Sequence, residues 1–189
     1  YLADVDSITG QMTPQDVENC IKKNRLKKVD LLVTMYLGGE PNNCHDFFKL
    51  KKKYDFKIME DACHAFGATY YFKNRLIKVG SCKHSDISVF SFHAIKTITT
   101  GEGGALTTNS KIFFQKAKLA RSHGIIRKNN CHWKYNIENF GMNYRLSDIN
   151  CALGISQLSK VRNFLKIRKK IFNFYKLNIK NYAKYFILK

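Results

Sequence analysis

Lys96 is the residue whose surroundings most need a chemical explanation. It closes the run Ser91-Phe-His-Ala-Ile-Lys96 directly after an apolar stretch, and Thr97-Ile-Thr-Thr-Gly-Glu-Gly-Gly104 follows it. Most lysines of the chain sit in basic runs such as Lys51-Lys-Lys53, whereas Lys96 stands apart from them. A Schiff-base lysine needs a partly desolvated pocket that lowers its pKa. It also needs small neighbours that let a flat cofactor approach the backbone, which Gly101, Gly103 and Gly104 would supply. A phosphate-binding lysine is the competing reading, although neither G-x-x-x-x-G-K nor G-x-G-x-x-G occurs.

The second constellation is Glu60-Asp61-Ala-Cys-His64-Ala-Phe-Gly67-Ala. It sets a carboxylate just past a strand end and an imidazole three residues later. Each residue also has an ordinary reading. Asp61 would cap a helix, His64 would be a core histidine, Ser91 a strand serine, and Asn143 in Gly141-Met-Asn143-Tyr-Arg145 a turn former.

The elements that must position these residues follow from periodicity. Thr13-Pro14-Gln15-Asp16 is a helix start, with a capping threonine, a first-turn proline and an early acid, and predicts a helix over 14–24. Asp30 to Tyr36 reads as a buried strand ended by Gly38-Gly39-Glu40-Pro41. A helix over 43–54, a strand over 56–59 and a loop from Glu60 follow, and strand–helix–strand at this spacing implies parallel pairing. Apolar runs at Ile87–Phe92 and Gly104–Thr108 flank the polar segment that carries Lys96, a loop beyond a strand end where chemistry usually sits. From Ser147 a long helical pattern leaves the sheet, and its basic and aromatic continuation over 166–189 reads as a packed amphipathic helix rather than a membrane-surface one.

With 189 residues the chain is long enough for one domain with its own core. The 33 Lys and Arg against 14 Asp and Glu leave a net charge of +19, which taken alone favours a polyanion. Because the lysines cluster at places that read as helix ends and turns, a solvated face is expected, with no nucleic-acid or membrane partner. The six cysteines show neither a disulfide framework nor zinc-ligand spacing, so reduced thiols, no metal and a cytoplasmic location are expected. No stretch is apolar enough for a bilayer span, and the first residues resemble no signal peptide. Both ends read as cuts through a longer protein.

The motifs E-D-A-x-H-A-x-G-A, S-F-H-A-I-K and E-G-G, in this order and spacing, resemble those of the DegT/DnrJ/EryC1/StrS sugar aminotransferases. The resemblance continues through Arg121-Ser-His-Gly124, Gly141-Met-Asn143-Tyr-Arg145-Leu and Ala152-Leu-Gly-Ile-Ser-Gln-Leu158, covering roughly residues 1–160. Within the family the motifs are most similar to those of the pseudaminic acid pathway transaminase. That resemblance implies formation of UDP-4-amino-4,6-dideoxy-N-acetyl-beta-L-altrosamine from a UDP-linked 4-keto-6-deoxy sugar for surface glycan or flagellin sugars.

The resemblance implies the α/β fold of type I pyridoxal-phosphate enzymes, a three-layer α/β/α large domain with a mostly parallel sheet. It places a partial large domain at 1–160 and a helical connection toward a small C-terminal domain at 161–189. It implies pyridoxal 5'-phosphate as cofactor, L-glutamate as amino donor, a nucleotide sugar as acceptor and a homodimer. Lys96 is then the tether and general base, and Asp61 the partner of the pyridine nitrogen. His64 lies near the phenolic oxygen or ring face, Ser91 binds the phosphate, and Asn143 reaches the phosphate of the neighbouring subunit. A same-fold sugar dehydratase, a cofactor-free relative turned regulatory or assembly module and a basic polyanion-binding protein are the rivals. Lys96 speaks against the dehydratase, in which the family pattern has histidine there.

Overall fold

The structure is a computed structural model that describes residues 1–127 and 133–179. Helix α1 spans Pro14–Lys23, and Thr13 caps it as expected. The Thr13 hydroxyl accepts the Asp16 N–H, and the Asp16 carboxylate accepts the Thr13 N–H at 2.9 Å. Strand β1 (Leu31–Met35), helix α2 (Cys44–Tyr54) and strand β2 (Lys57–Asp61) follow. β2 runs two residues beyond the expected 56–59, so Glu60 and Asp61 end the strand rather than begin a loop. The reason is pairing on both sides. Thr34 and Met35 flank these residues on β1, while Ser88 and Val89 flank them on β5, Ile87–Ser91.

The main sheet has the order β1-β2-β5-β6, where β6 is Gly104–Thr107. The first two pairings are parallel and β5-β6 is antiparallel, which gives the expected mostly parallel α/β sheet. α1 and α2 cover one face. Val17 and Ile21 of α1 and Phe47 and Leu50 of α2 bury against Leu32 and Ile58, with Phe56 only 1% exposed beneath them. The half-buried Lys51 ammonium pins the start of β5 to this layer, 2.7 Å from each oxygen of Asp86, whose carboxylate also accepts the Ile58 N–H. On the other face Leu31, Val33 and Met35 are 48%, 47% and 42% exposed. β1 is therefore buried on alternate residues and not throughout, because no described element packs on that second face.

Several elements have no counterpart among those expected from the sequence. Strands β3 (Thr69–Phe72) and β4 (Arg75–Lys78) form an antiparallel hairpin around Lys73 and Asn74, both at positive φ. Helix α3 (Lys111–Arg121) is capped by the Ser110 hydroxyl. The short strands β7 (Ile125–Arg127) and β8 (Tyr135–Ile137) pair next, and α4 runs unbroken over Asp148–Asn178. On α4, Ile167, Ile171 and Phe174 are about half exposed or more, so the packed face expected from residue 166 onward finds no cover among the described residues. Residues 180–189 of that expected helix lie outside the described residues. No helix among the described residues is long and apolar enough to cross a membrane. The five described cysteines are free thiols, and Cys131 lies outside the described residues.

The hairpin is held to α2 by His84. Its ring is 3% exposed, Nδ1 lies 2.8 Å from the Tyr70 hydroxyl, and the rings of Phe72, Phe48 and His45 surround it. Burial, then the neighbouring His45 and Lys83, hold the His84 pKa below the ordinary histidine value. The unfolded chain therefore binds this proton more readily, and stability rises with pH across the window. The contribution is complete above the unfolded value of about 6.5 and is lost as pH falls below it. A melting temperature that drops from pH 7.5 to pH 5.5, with the drop reduced in His84→Phe, is the expected result.

Candidate active site

Asp61 and Ser91 are the last residues of the adjacent parallel strands β2 and β5. Side chains alternate along a strand, so register decides which face each one takes. Asp61 pairs with Val89, and Ser91 lies two residues farther, so both fall on the sheet face that α1 and α2 leave open. Glu60 falls on the covered face. No helix follows Asp61. Instead its carboxylate accepts the Cys63 N–H at 3.1 Å and shapes the turn, which rules out the helix-cap reading.

Lys96 sits on the loop after β5. That loop is closed on itself: the Phe92 N–H donates to the Gly103 carbonyl at 2.8 Å, and the Thr100 N–H and Thr99 hydroxyl both donate to the Phe92 carbonyl. The Lys96 N–H donates to the His93 carbonyl at 3.0 Å, forming the turn that carries its half-buried side chain.

Cys63, bonded to Asp61 through its N–H, senses these groups. Burial pushes its thiol up to about 11, the Asp61 carboxylate adds to the rise through a hydrogen bond and its charge, and the Lys96 charge and the Ser91 backbone pull the other way. The Asp61 carboxylate and the Ser91 backbone thus bond toward one thiol, and the Lys96 charge is felt there. Cys63 does not stand out among six cysteines without common spacing, and its place between Asp61 and His64 is the one signal the sequence offers. His64 lies in the same turn with its ring exposed, so it is not a core histidine. Its carbonyl is where a Cβ on Gly39 would come within 2.6 Å, and Gly39 has φ +89°.

Asn143 is not brought to the others within the chain. It forms a bridge with Ser122 and is exposed, and no contact among the described residues joins it to Asp61, Ser91 or Lys96. Its segment is fixed by close backbone packing of two motifs. A Cβ on Gly141 would lie 2.2 Å from the Gly124 nitrogen.

α4 fastens both site loops. The Asn150 amide donates to the Thr100 carbonyl, and the buried Gly154 lets Thr100 approach so closely that a Cβ would lie 2.9 Å from its Cγ2. Farther along, Leu165 packs on Gly67, the end of the Asp61 turn. Alanine at 154 gains about 1 kcal/mol of helix propensity and loses about 1–3 kcal/mol by overpacking against Thr100, which is 2% exposed. Gly154→Ala is expected to lower the melting temperature, where an exposed helical glycine replaced by alanine would raise it.

The arrangement supplies a carboxylate for a cationic ring atom, an amine for a carbonyl, and a hydroxyl at a strand end for an anion. The pattern of the DegT/DnrJ/EryC1/StrS aminotransferase family matches residues 1–189. A UDP-4-amino-4,6-dideoxy-N-acetyl-beta-L-altrosamine transaminase of Campylobacter jejuni is 40% identical over 166 residues, 88% of this chain and 42% of that protein. Helicobacter pylori PseC, an aminotransferase involved in the biosynthesis of pseudoaminic acid, superposes with a TM-score of 0.82 at 33% identity, covering 94% of this chain and 44% of its own. The pyridoxal-phosphate form of the sugar aminotransferase Spr1654 from Streptococcus pneumoniae gives a TM-score of 0.80 at 26% identity, over 95% of this chain and 47% of its own. The chain thus spans less than half the length of these relatives, and across all of its residues it belongs to the DegT/DnrJ/EryC1/StrS aminotransferase family.

Proposed function

We propose that this chain is the cofactor-binding core of a pyridoxal-phosphate-dependent sugar aminotransferase that moves an amino group from L-glutamate to a UDP-linked 4-keto-6-deoxy sugar. The carrying observation is that Asp61 and Ser91 end the adjacent parallel strands β2 and β5 on one open sheet face, with Lys96 on the loop that directly follows β5. When bound, the cofactor supplies an aldehyde for nitrogen exchange and a ring that withdraws electrons. Asp61 would pair its carboxylate with the ring nitrogen and favour the protonated form. Ser91 would donate its hydroxyl to the phosphate. The Lys96 amine would hold the aldehyde carbon and, once displaced by the amino donor, carry a proton between carbon atoms as general base. His64, exposed in the Asp61 turn, would hydrogen-bond near the phenolic oxygen or cover the ring face.

Asn143 faces solvent, as the resemblance requires if it serves the cofactor phosphate of a neighbouring copy. The reading includes a homodimer, a cytoplasmic location, and residues 1–160 as the large domain with 161–189 as the passage toward a further domain. The substrate class rests on the Campylobacter and Helicobacter relatives.

The test is borohydride reduction of the 189-residue chain with added pyridoxal phosphate, followed by peptide mapping. Label concentrated on Lys96 is the expected result. Label spread evenly over the surface lysines would sink the reading.

A further inference from the structure

Strand alternation sends Glu60, the neighbour of Asp61, to the covered face of the sheet, where it is 3% exposed. A carboxyl in such a place is costly unless its oxygens are bonded, and both are. One oxygen accepts the Tyr36 hydroxyl at 2.8 Å, and the other accepts the Ser88 hydroxyl. Tyr36 follows β1 directly, is 2% exposed, and gives its own N–H to the Asp61 carbonyl at 3.2 Å. Ser88 is the register partner of Glu60 on β5 and is fully buried. A single carboxyl is thus bonded to the three strands whose ends lead into the Gly38–Gly39 turn, the Asp61 turn and the Lys96 loop.

The bonding continues outward. The Cys44 Sγ, in the first turn of α2, lies 3.2 Å from the Tyr36 hydroxyl, and the Ser85 hydroxyl lies 3.4 Å from that of Ser88. Burial, and next the Glu60 charge, push the Tyr36 phenol far above its usual range, so it remains a donor.

We propose that Glu60 is a positioning residue: by bonding Tyr36 and Ser88 at once it holds the ends of β1, β2 and β5 together and sets the spacing of Asp61 and Ser91 on the opposite face. The proposal rests on the reading of Asp61, Ser91 and Lys96 as the cofactor site. A Glu60 that served stability alone would loosen the whole domain when changed, whereas a positioning Glu60 loosens the strand ends.

Amide hydrogen exchange of the 189-residue chain separates the two without any cofactor. In Glu60→Gln the amides of Tyr36 and Ala62, which bond across the strand ends, should exchange about ten-fold faster, with those of Ile21 and Leu50 in α1 and α2 within about two-fold of the parent. Tyr36→Phe and Ser88→Ala each remove one of the two bonds and should show the same local pattern more weakly, which keeps the test decisive if Glu60→Gln fails to fold. Uniform acceleration in these variants, or none at the strand ends, overturns the proposal. Borohydride labelling with pyridoxal phosphate then reads the consequence, an expected drop of about ten-fold in the preference for Lys96. Equal preference in parent and Glu60→Gln overturns the positioning role. A parent chain that never labels Lys96 sinks the cofactor reading instead, and the exchange pattern alone then judges Glu60.

Discussion

Lys96→Ala is expected to abolish the pyridoxal phosphate fixed to the chain by borohydride, while Lys52→Ala leaves it unchanged. Lys52 lies exposed on α2 among other lysines, so it samples the background reactivity of a surface amine. On the proposed function, losing the proton carrier alone would cost about 10²–10⁴-fold in turnover, and losing the tether would add to it. A second readout of the same variant needs no cofactor. The Lys96 charge opposes the rise in the Cys63 thiol, so removing it should push that thiol higher still and slow its alkylation, followed peptide by peptide. Alkylation of Cys63 at the parent rate would mean that Lys96 does not face it.

Asp61→Asn should act in the opposite direction. Asparagine keeps an oxygen for the Cys63 N–H, so the turn survives and only the charge is removed. The thiol then loses one of the causes of its elevation, falls below about 11, and should alkylate faster, by about three-fold per unit of pKa once the weaker nucleophilicity is included. On the proposed function, the same change would also remove the anion that favours a protonated ring nitrogen. A pKa that an opposite charge moves by about 1–3 units implies a loss of roughly 10–10³-fold in the protonated fraction and in turnover. Alkylation rates that shift the same way in both variants would separate Asp61 from Lys96.

The parts of the fold legible in the sequence are those where local rules and burial agree. Thr13, Pro14 and Asp16 announce α1 because the cap is made entirely by neighbours in sequence. β1 and β2 declare themselves as apolar runs, and Lys96 and Asp61 stand out by breaking the pattern around them. What stayed hidden depends on partners distant in sequence. β3 and β4 turn at Lys73-Asn74 rather than at the Asn-Gly or Asp-Gly that usually marks such a hairpin, and α3 offers only the Ser110 cap. Glu60 looks like part of a polar loop until β1 and β5 are placed on either side of it. The uncovered face of β1 is likewise invisible in a run of apolar residues, because periodicity reports what a strand can bury and not what lies above it.

α4 touches the Lys96 loop at Asn150 and Gly154 and the Asp61 turn at Leu165, which lies about 22 Å of helix from Asn150 and about 16 Å from Gly154. A helix of that length is stiff, so the two loops share one rigid rod and cannot shift independently. Any tilt imposed near Asn178 would reach both of them together, with Leu165 and Asn150 moving as points on a single lever.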